Sequence, residues 1–148
     1  MPEKTEHIVC AVRGSPQSRT TVTHAIDLAV AHDARLTFLY VADAEFQAQA
    51  AIGSPLSVVY QELTQMAEFS MLILCDRAQR RGVKEVKYTI RIGNVRKQLL
   101  QYAAETHADV FVMGWPMRGA GRPTFTPQEF EAFAVELERV AHPPVSYT

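Results

Sequence analysis

The sequence predicts an α/β protein: a doubly wound, five-stranded parallel sheet with helices on both faces. Three observations carry this expectation. Short β-prone runs and longer helical stretches alternate through the chain in the order β-α-β-α-β-α-β-α-β, the pattern that favours parallel strands joined by crossover helices. Two of the runs, HIVCAV at 7–12 and VFVM at 110–113, are continuously apolar, as strands covered on both faces are. A third, VKYTIRI at 86–92, alternates strictly, with Val86, Tyr88, Ile90 and Ile92 facing one way and Lys87, Thr89 and Arg91 the other. One wet face places that strand at a sheet edge.

Each element has a local reason. After HIVCAV, Ser15 reads as a helix cap and Pro16 as the first helical position, and Val22, Ala25, Ile26 and Ala29 share one face. That helix stops near His32 and Asp33, and LTFLYV at 36–41 is the second strand. Residues 43–54 form an alanine- and glutamine-rich connection without a clear period. Ser54 and Pro55 start a long helix running to about Arg81 and closed by Gly82. Its Val59, Leu63, Met66, Phe69 and Ile73 form an apolar stripe expected to face the core, with Met66 and Met71 as core filler. Arg77, Arg80 and Arg81 fall where cations complement the helix dipole. Gly93 and Asn94 cap a further helix to about Thr106 with Val95, Leu99 and Ala103 inward. The last helix, from Gln128 to about Val140, carries Phe130, Phe133, Ala134, Leu137 and Val140 on one face, and Val145 to Thr148 is a terminal strand.

Composition bounds the function. The 148 residues make one domain with no repeat, linker or low-complexity tract, and 47% hydrophobic with 21% charged residues is ordinary for a soluble globular protein. Fifteen basic and sixteen acidic residues leave a net charge of −1, with no general pull toward nucleic acid or an anionic membrane. No apolar run approaches the roughly 20 residues that span a bilayer. The polar start MPEKTEH is not a signal peptide, so a cytoplasmic location is expected. Cys10 and Cys75 sit in apolar segments without CxxC spacing, and His24 and His32 lie eight residues apart without a carboxylate pattern. No metal site follows from them.

The stretch DVFVMGWPMRGAGRPTFTP at 109–127 holds the most chemistry. A buried strand breaks at Gly114 into a loop with Arg118, Gly119, Gly121 and Arg122. The loop ends at a helix start with Thr126 as N-cap, Pro127 at the first position and Glu129 three residues after the cap. Strand, glycine-containing basic loop and helix N-terminus are a physical recipe for holding an anion, although glycine and proline also simply turn chains. In an open parallel sheet the ligand rim lies past the carboxyl ends of the strands, at the point where strand order reverses. The rim candidates are Arg13, Gly14 and Ser15; Val41 and Asp43; Gly93 and Asn94; and Gly114 onward.

These residues carry a resemblance. HIVCAVRGSPQS, LTFLYV, IGNVRKQLLQYAAETHADVFVMG and HPPV together resemble the universal stress protein family over nearly the whole chain, the segment 92–114 most specifically. The resemblance implies strand order 3-2-1-4-5, which agrees with the edge character of VKYTIRI. It also implies a cytoplasmic stress-response role and a homodimer pairing through the C-terminal strand. ATP-binding members of the family carry an acidic residue after the first strand. After the fourth they carry G-x-x-G, nine residues, then G followed by Ser or Thr. Here Arg13 stands at the acidic position. Starting from Gly114, Met117 and Pro127 stand where glycines are required; starting from Gly119 or Gly121, Arg122 or Thr124 does. Side chains there obstruct the close backbone approach that lets amides wrap phosphates.

What survives of the family marks is Gly14, Ser15, Val41, Met113 and Gly114, a rim without a triphosphate cradle. Arg13 is read as structural, bonding loop carbonyls and closing the crevice, with attraction of a small anion as the alternative. Arg118 and Arg122 are solvated loop residues, or a clamp if the loop folds back, and Trp115-Pro116 covers either the crevice or the core edge. Asp43 lacks the glycine fingerprint of a ribose-binding carboxylate. No nucleophile–base pair, GxSxG or SGGxDS-type loop is present. The expectation is a non-enzymatic universal stress protein-like homodimer with lost or altered ATP binding. The alternative is a sensor of ATP, another adenine nucleotide or another anion, using the loop from Gly114 to Thr126.

Overall fold

The computed structural model describes residues 6–12, 18–43, 56–113, 128, 131–135 and 145–147. Five strands, β1 (His7–Val12), β2 (Arg35–Asp43), β3 (Val86–Gly93), β4 (Val110–Met113) and β5 (Val145–Tyr147), form one sheet in the order β3-β2-β1-β4-β5. Every neighbouring pair is parallel. The helices are α1 (Ser18–His32), α2 (Leu56–Arg80) and α3 (Val95–Thr106), and residues 128 and 131–135 are also helical. The parallel α/β architecture expected from the sequence is observed, with VKYTIRI at an edge.

Strand alternation divides the core in two. Ile8, Cys10, Val12, Leu36, Phe38 and Val112 face α1 and α2, where Val22, Ala25, Ile26 and Ala29 of α1 meet Met71 and Ala78 of α2. Val9, Leu39, Phe111 and Met113 point to the other face and pack with Leu99, Tyr102 and Ala103 of α3 and with Phe133. Phe38 is fully buried on the first side, and Phe111 and Phe133 on the second.

The amino ends of the strands are tied together by backbone and carboxylate. Asp109 Oδ2 accepts from the backbone N–H groups of Glu6 and His7, each at 2.9 Å, and the Asp109 N–H donates to the His7 carbonyl at 2.8 Å. This pins the start of β4 to the start of β1 and gives Ala108-Asp109 a structural task. Asp33 (φ 52) ends α1 in the left-handed region, and Gly82 (φ 109) follows α2 as expected of a helix-closing glycine.

Two sequence expectations are corrected. Met66, Phe69 and Ile73 do not face the core; they are exposed, and α2 buries Ala67, Met71 and Ala78 instead. The buried residues lie on the opposite side of the helix, which carries two apolar faces. Burial goes to the side with small residues, where the helix can approach the sheet closely. Val59 and Leu63 have side chains outside the described residues. On β3, Ile92 is exposed, while Thr89 and Arg91, assigned to a wet face, are half-buried beneath α3. Phe133 and Ala134 are buried as expected, whereas Phe130, Leu137 and Val140 lie outside the described residues.

Candidate functional site

The sheet reverses direction between β1 and β4: β2 and β3 build outward from one side of β1, and the chain then crosses to the other side to form β4. The register pairs Ile8 with Val110, Val9 with Phe111 and Cys10 with Val112, so Met113 ends β4 one step beyond this pairing. On the other side Val12 pairs with Tyr40, and Val41 extends one residue past it. Val12 and Met113 are buried and Val41 is half-buried. Val12 faces α1 and α2, whereas Val41 and Met113, both on the α3 side of the sheet, form an apolar floor at the carboxyl end of the switch point, where ligands of this architecture sit. Such a floor can support a flat apolar ring; it carries no charge for a phosphate.

Of the sequence-predicted rim, the structure thus brings Val41 and Met113 to the same end of the sheet. Arg13, Gly14, Ser15, Gly114, Gly119, Gly121, Arg122 and Thr126 lie outside the described residues, as do Trp115, Pro116 and Arg118. Gly93 and Asn94 lie at this same carboxyl end, Gly93 pairing with Asp43, but away from the switch point. They follow β3 at the sheet edge, two strands from β1, or about 10 Å at ordinary strand spacing. Their arrangement is that of a helix start. Gly93 has φ 152, and a Cβ there would meet the Gln98 side chain at 3.2 Å. Asn94 Oδ1 accepts from the Lys97 N–H at 3.1 Å, capping α3.

Burial governs the described thiols and one tyrosine of the core. Burial pushes the Cys10 thiol far above its ordinary value, and burial raises Cys75 as well, so neither supplies a thiolate at neutral pH. Burial likewise raises Tyr40. Among the described residues no group of His, Cys, Asp and Glu is placed to hold a metal ion. No described helix is long and apolar enough to cross a membrane.

One polar arrangement escaped the sequence reading. Arg91 lies 5.0 Å from the centre of the Tyr102 ring and donates to Glu105 Oε2 at 2.5 Å, while Tyr102 and Thr89 share a hydrogen bond of 3.1 Å. Hydrogen bonds from Arg91 and then Gln101 hold the Glu105 carboxyl below its ordinary range. The available signals were Thr89 and Arg91 alternating on β3 and Tyr102 and Glu105 three apart on α3. Only the docking of α3 over the edge strand joins them, and they fasten the edge rather than line the rim.

An open parallel sheet wound in both directions defines the doubly wound class of α/β domain. The profile of the Universal stress protein family matches residues 4–125, and the chain belongs to that family. Solved structures agree in fold. Universal stress protein UspA from Lactobacillus plantarum superposes with a TM-score of 0.77 at 21% identity, covering 98% of each chain. A universal stress protein in complex with cAMP gives 0.65 at 18%, covering 99% of this chain and 98% of the other. The universal stress protein from Archaeoglobus fulgidus in complex with dAMP gives 0.62 at 15%, covering 98% of each. No curated protein matches the chain in sequence.

Proposed function

We infer that this chain is a non-enzymatic universal stress protein of the cytoplasmic stress response, with lost or altered ATP binding, acting as a homodimer paired through β5. The observation that carries the reading is chemical. Arg13 occupies the position where the ATP-binding branch has a carboxylate, and no register of the glycines after Gly114 completes that branch's phosphate loop. Backbone amides wrap a triphosphate only where side chains stand clear. The apolar floor of Val41 and Met113 supplies no substitute for that cradle. Titration calorimetry with Mg-ATP is the test. No heat of binding at micromolar to millimolar ATP is expected, and micromolar binding overturns the reading.

A second reading is favoured by the two fold neighbours in complex with cAMP and dAMP. Both ligands carry a single phosphate, which asks less of a loop than a triphosphate does. On this reading an adenine mononucleotide rests its base on the apolar floor, and Arg13 or Arg122 meets the phosphate. AMP or cAMP at 100 times its dissociation constant then stabilises the fold by about 2.7 kcal/mol, read as a rise in Tm. Arg13→Ala or Arg122→Ala removes that rise. No shift with either nucleotide eliminates this reading and leaves the first intact.

A further inference from the structure

The outward side of α2 carries a stripe that the fold does not use. Met66, Phe69 and Ile73 are 69%, 67% and 49% exposed, and Leu72 flanks them at 56%. Single exposed apolar residues are ordinary, but four large ones contiguous on one helix face mark an interaction surface. Their setting has a period. Glu62, Met66, Phe69, Ile73, Asp76 and Arg80 are spaced alternately four and three residues apart, the seam of a two-helix coiled coil. Met71, Leu74 and Ala78, on the opposite side, pack against the protein's own sheet, and Ala67 beside them is buried.

We propose that this seam is a self-association interface, in which α2 pairs antiparallel with α2 of a second copy about a two-fold axis that crosses the seam between Phe69 and Ile73. The charges select the occupant and its direction. With Phe69 opposite Ile73 of the second copy, the same register sets Met66 opposite Asp76, whose carboxylate is neutralised by Arg80, and Glu62 opposite Arg80 at both ends of the seam. Parallel pairing instead brings Glu62 to Glu62 and Arg80 to Arg80, which repel. Arg80 already holds Asp76 at 3.0 Å in its own helix, and the five N–H donors of its guanidinium suffice for a second carboxylate. Antiparallel helices also set opposite dipole ends together. A two-fold contact of this kind is self-complementary and closes. Because α2 packs over β3 and β2, the seam lies on the half of the sheet away from β5. It neither needs nor blocks pairing through the terminal strand.

Sedimentation velocity of the full chain over a wide concentration range tests the seam, with far-UV circular dichroism confirming that each variant is folded. The wild type is expected to show an association step whose dissociation constant rises about tenfold or more in Phe69→Lys. Glu62→Arg and Arg80→Glu are each expected to weaken that step, and the double variant Glu62→Arg/Arg80→Glu to restore it. A wild type without concentration dependence overturns the proposal, as does a step that Phe69→Lys leaves unchanged. Loss of Tm in Phe69→Lys without change in mass means that residues of the same chain cover the stripe, and overturns it too. Failure of the double variant to recover association removes the antiparallel register.

Discussion

The two faces of the sheet are sealed differently. On the side of α1 and α2, Ile8, Cys10, Val12, Leu36, Phe38 and Val112 meet helices through aliphatic and small residues. On the side of α3 the apolar centre around Val9, Leu39 and Phe111 gives way toward β3 to paired polar groups: His7 with Thr37, Thr89 with Tyr102, and Arg91 with Tyr102 and Glu105. Non-directional burial supplies most of the energy on the first side. On the second, directed bonds fix how α3 sits across an edge strand that a shallow apolar face would hold only loosely. The same strands serve both demands because neighbouring residues point oppositely: Thr37 and Phe38 are adjacent, yet each belongs to a different side.

The largest expected effect tests the apolar side. Phe38 is fully buried, and Phe38→Ala leaves a ring-sized cavity, costing about 3–5 kcal/mol in urea unfolding. For a domain of this size that is a large share of the total. A loss below about 1 kcal/mol would mean that α1 and α2 close over the gap, and would break the contrast with the polar side.

Tyr102→Phe probes the other side with far less removed. The variant keeps the ring under Arg91 and loses only the hydroxyl shared with Thr89. Thr89 is half-buried and can reach water, so the cost is about 0.5–1.5 kcal/mol, again by urea unfolding. A loss comparable to that of Phe38→Ala would show the polar cluster acting as one cooperative network.

This contrast also explains what could be read from the chain. The apolar runs at 7–12 and 110–113 and the alternation at 86–92 specified strands, and their burial specified the sheet, because side-chain period is local information. Asn94 was legible as a cap for the same reason. The orientation of α2 was not: Met66, Phe69 and Ile73 form as regular a stripe as the buried one, and periodicity alone cannot say which of two apolar faces turns inward. The pairing of Arg91 with Glu105 was likewise hidden, since it depends on how α3 crosses β3. At the candidate site, Met113 does end its strand, whereas β2 runs on past Val41 to Asp43. Gly93 and Asn94 were placed at the right end of the sheet, but their distance from the switch point follows only from strand order.

The smallest effect is a pH dependence on the polar side. His7 Nε2 lies 2.8 Å from Thr37 Oγ1, and burial, followed by Arg35 and Lys87 against the opposing pull of Asp109 and Glu85, lowers its pKa from the ordinary 6.5. The folded protein therefore binds this proton less readily than the unfolded chain does. Stability from this group is fully present above pH 6.5 and is lost as pH falls from there through the lower folded value, below which it stays constant. His7→Gln keeps a side chain able to bond Thr37 and removes the titration. The Tm difference between wild type and variant should be level above about pH 7 and shift against the wild type as pH falls below about 6.5. A difference that stays constant across that range would mean that water reaches His7 freely. The hydrogen bond to Thr37 would then add geometry to the polar side without adding a proton-linked energy.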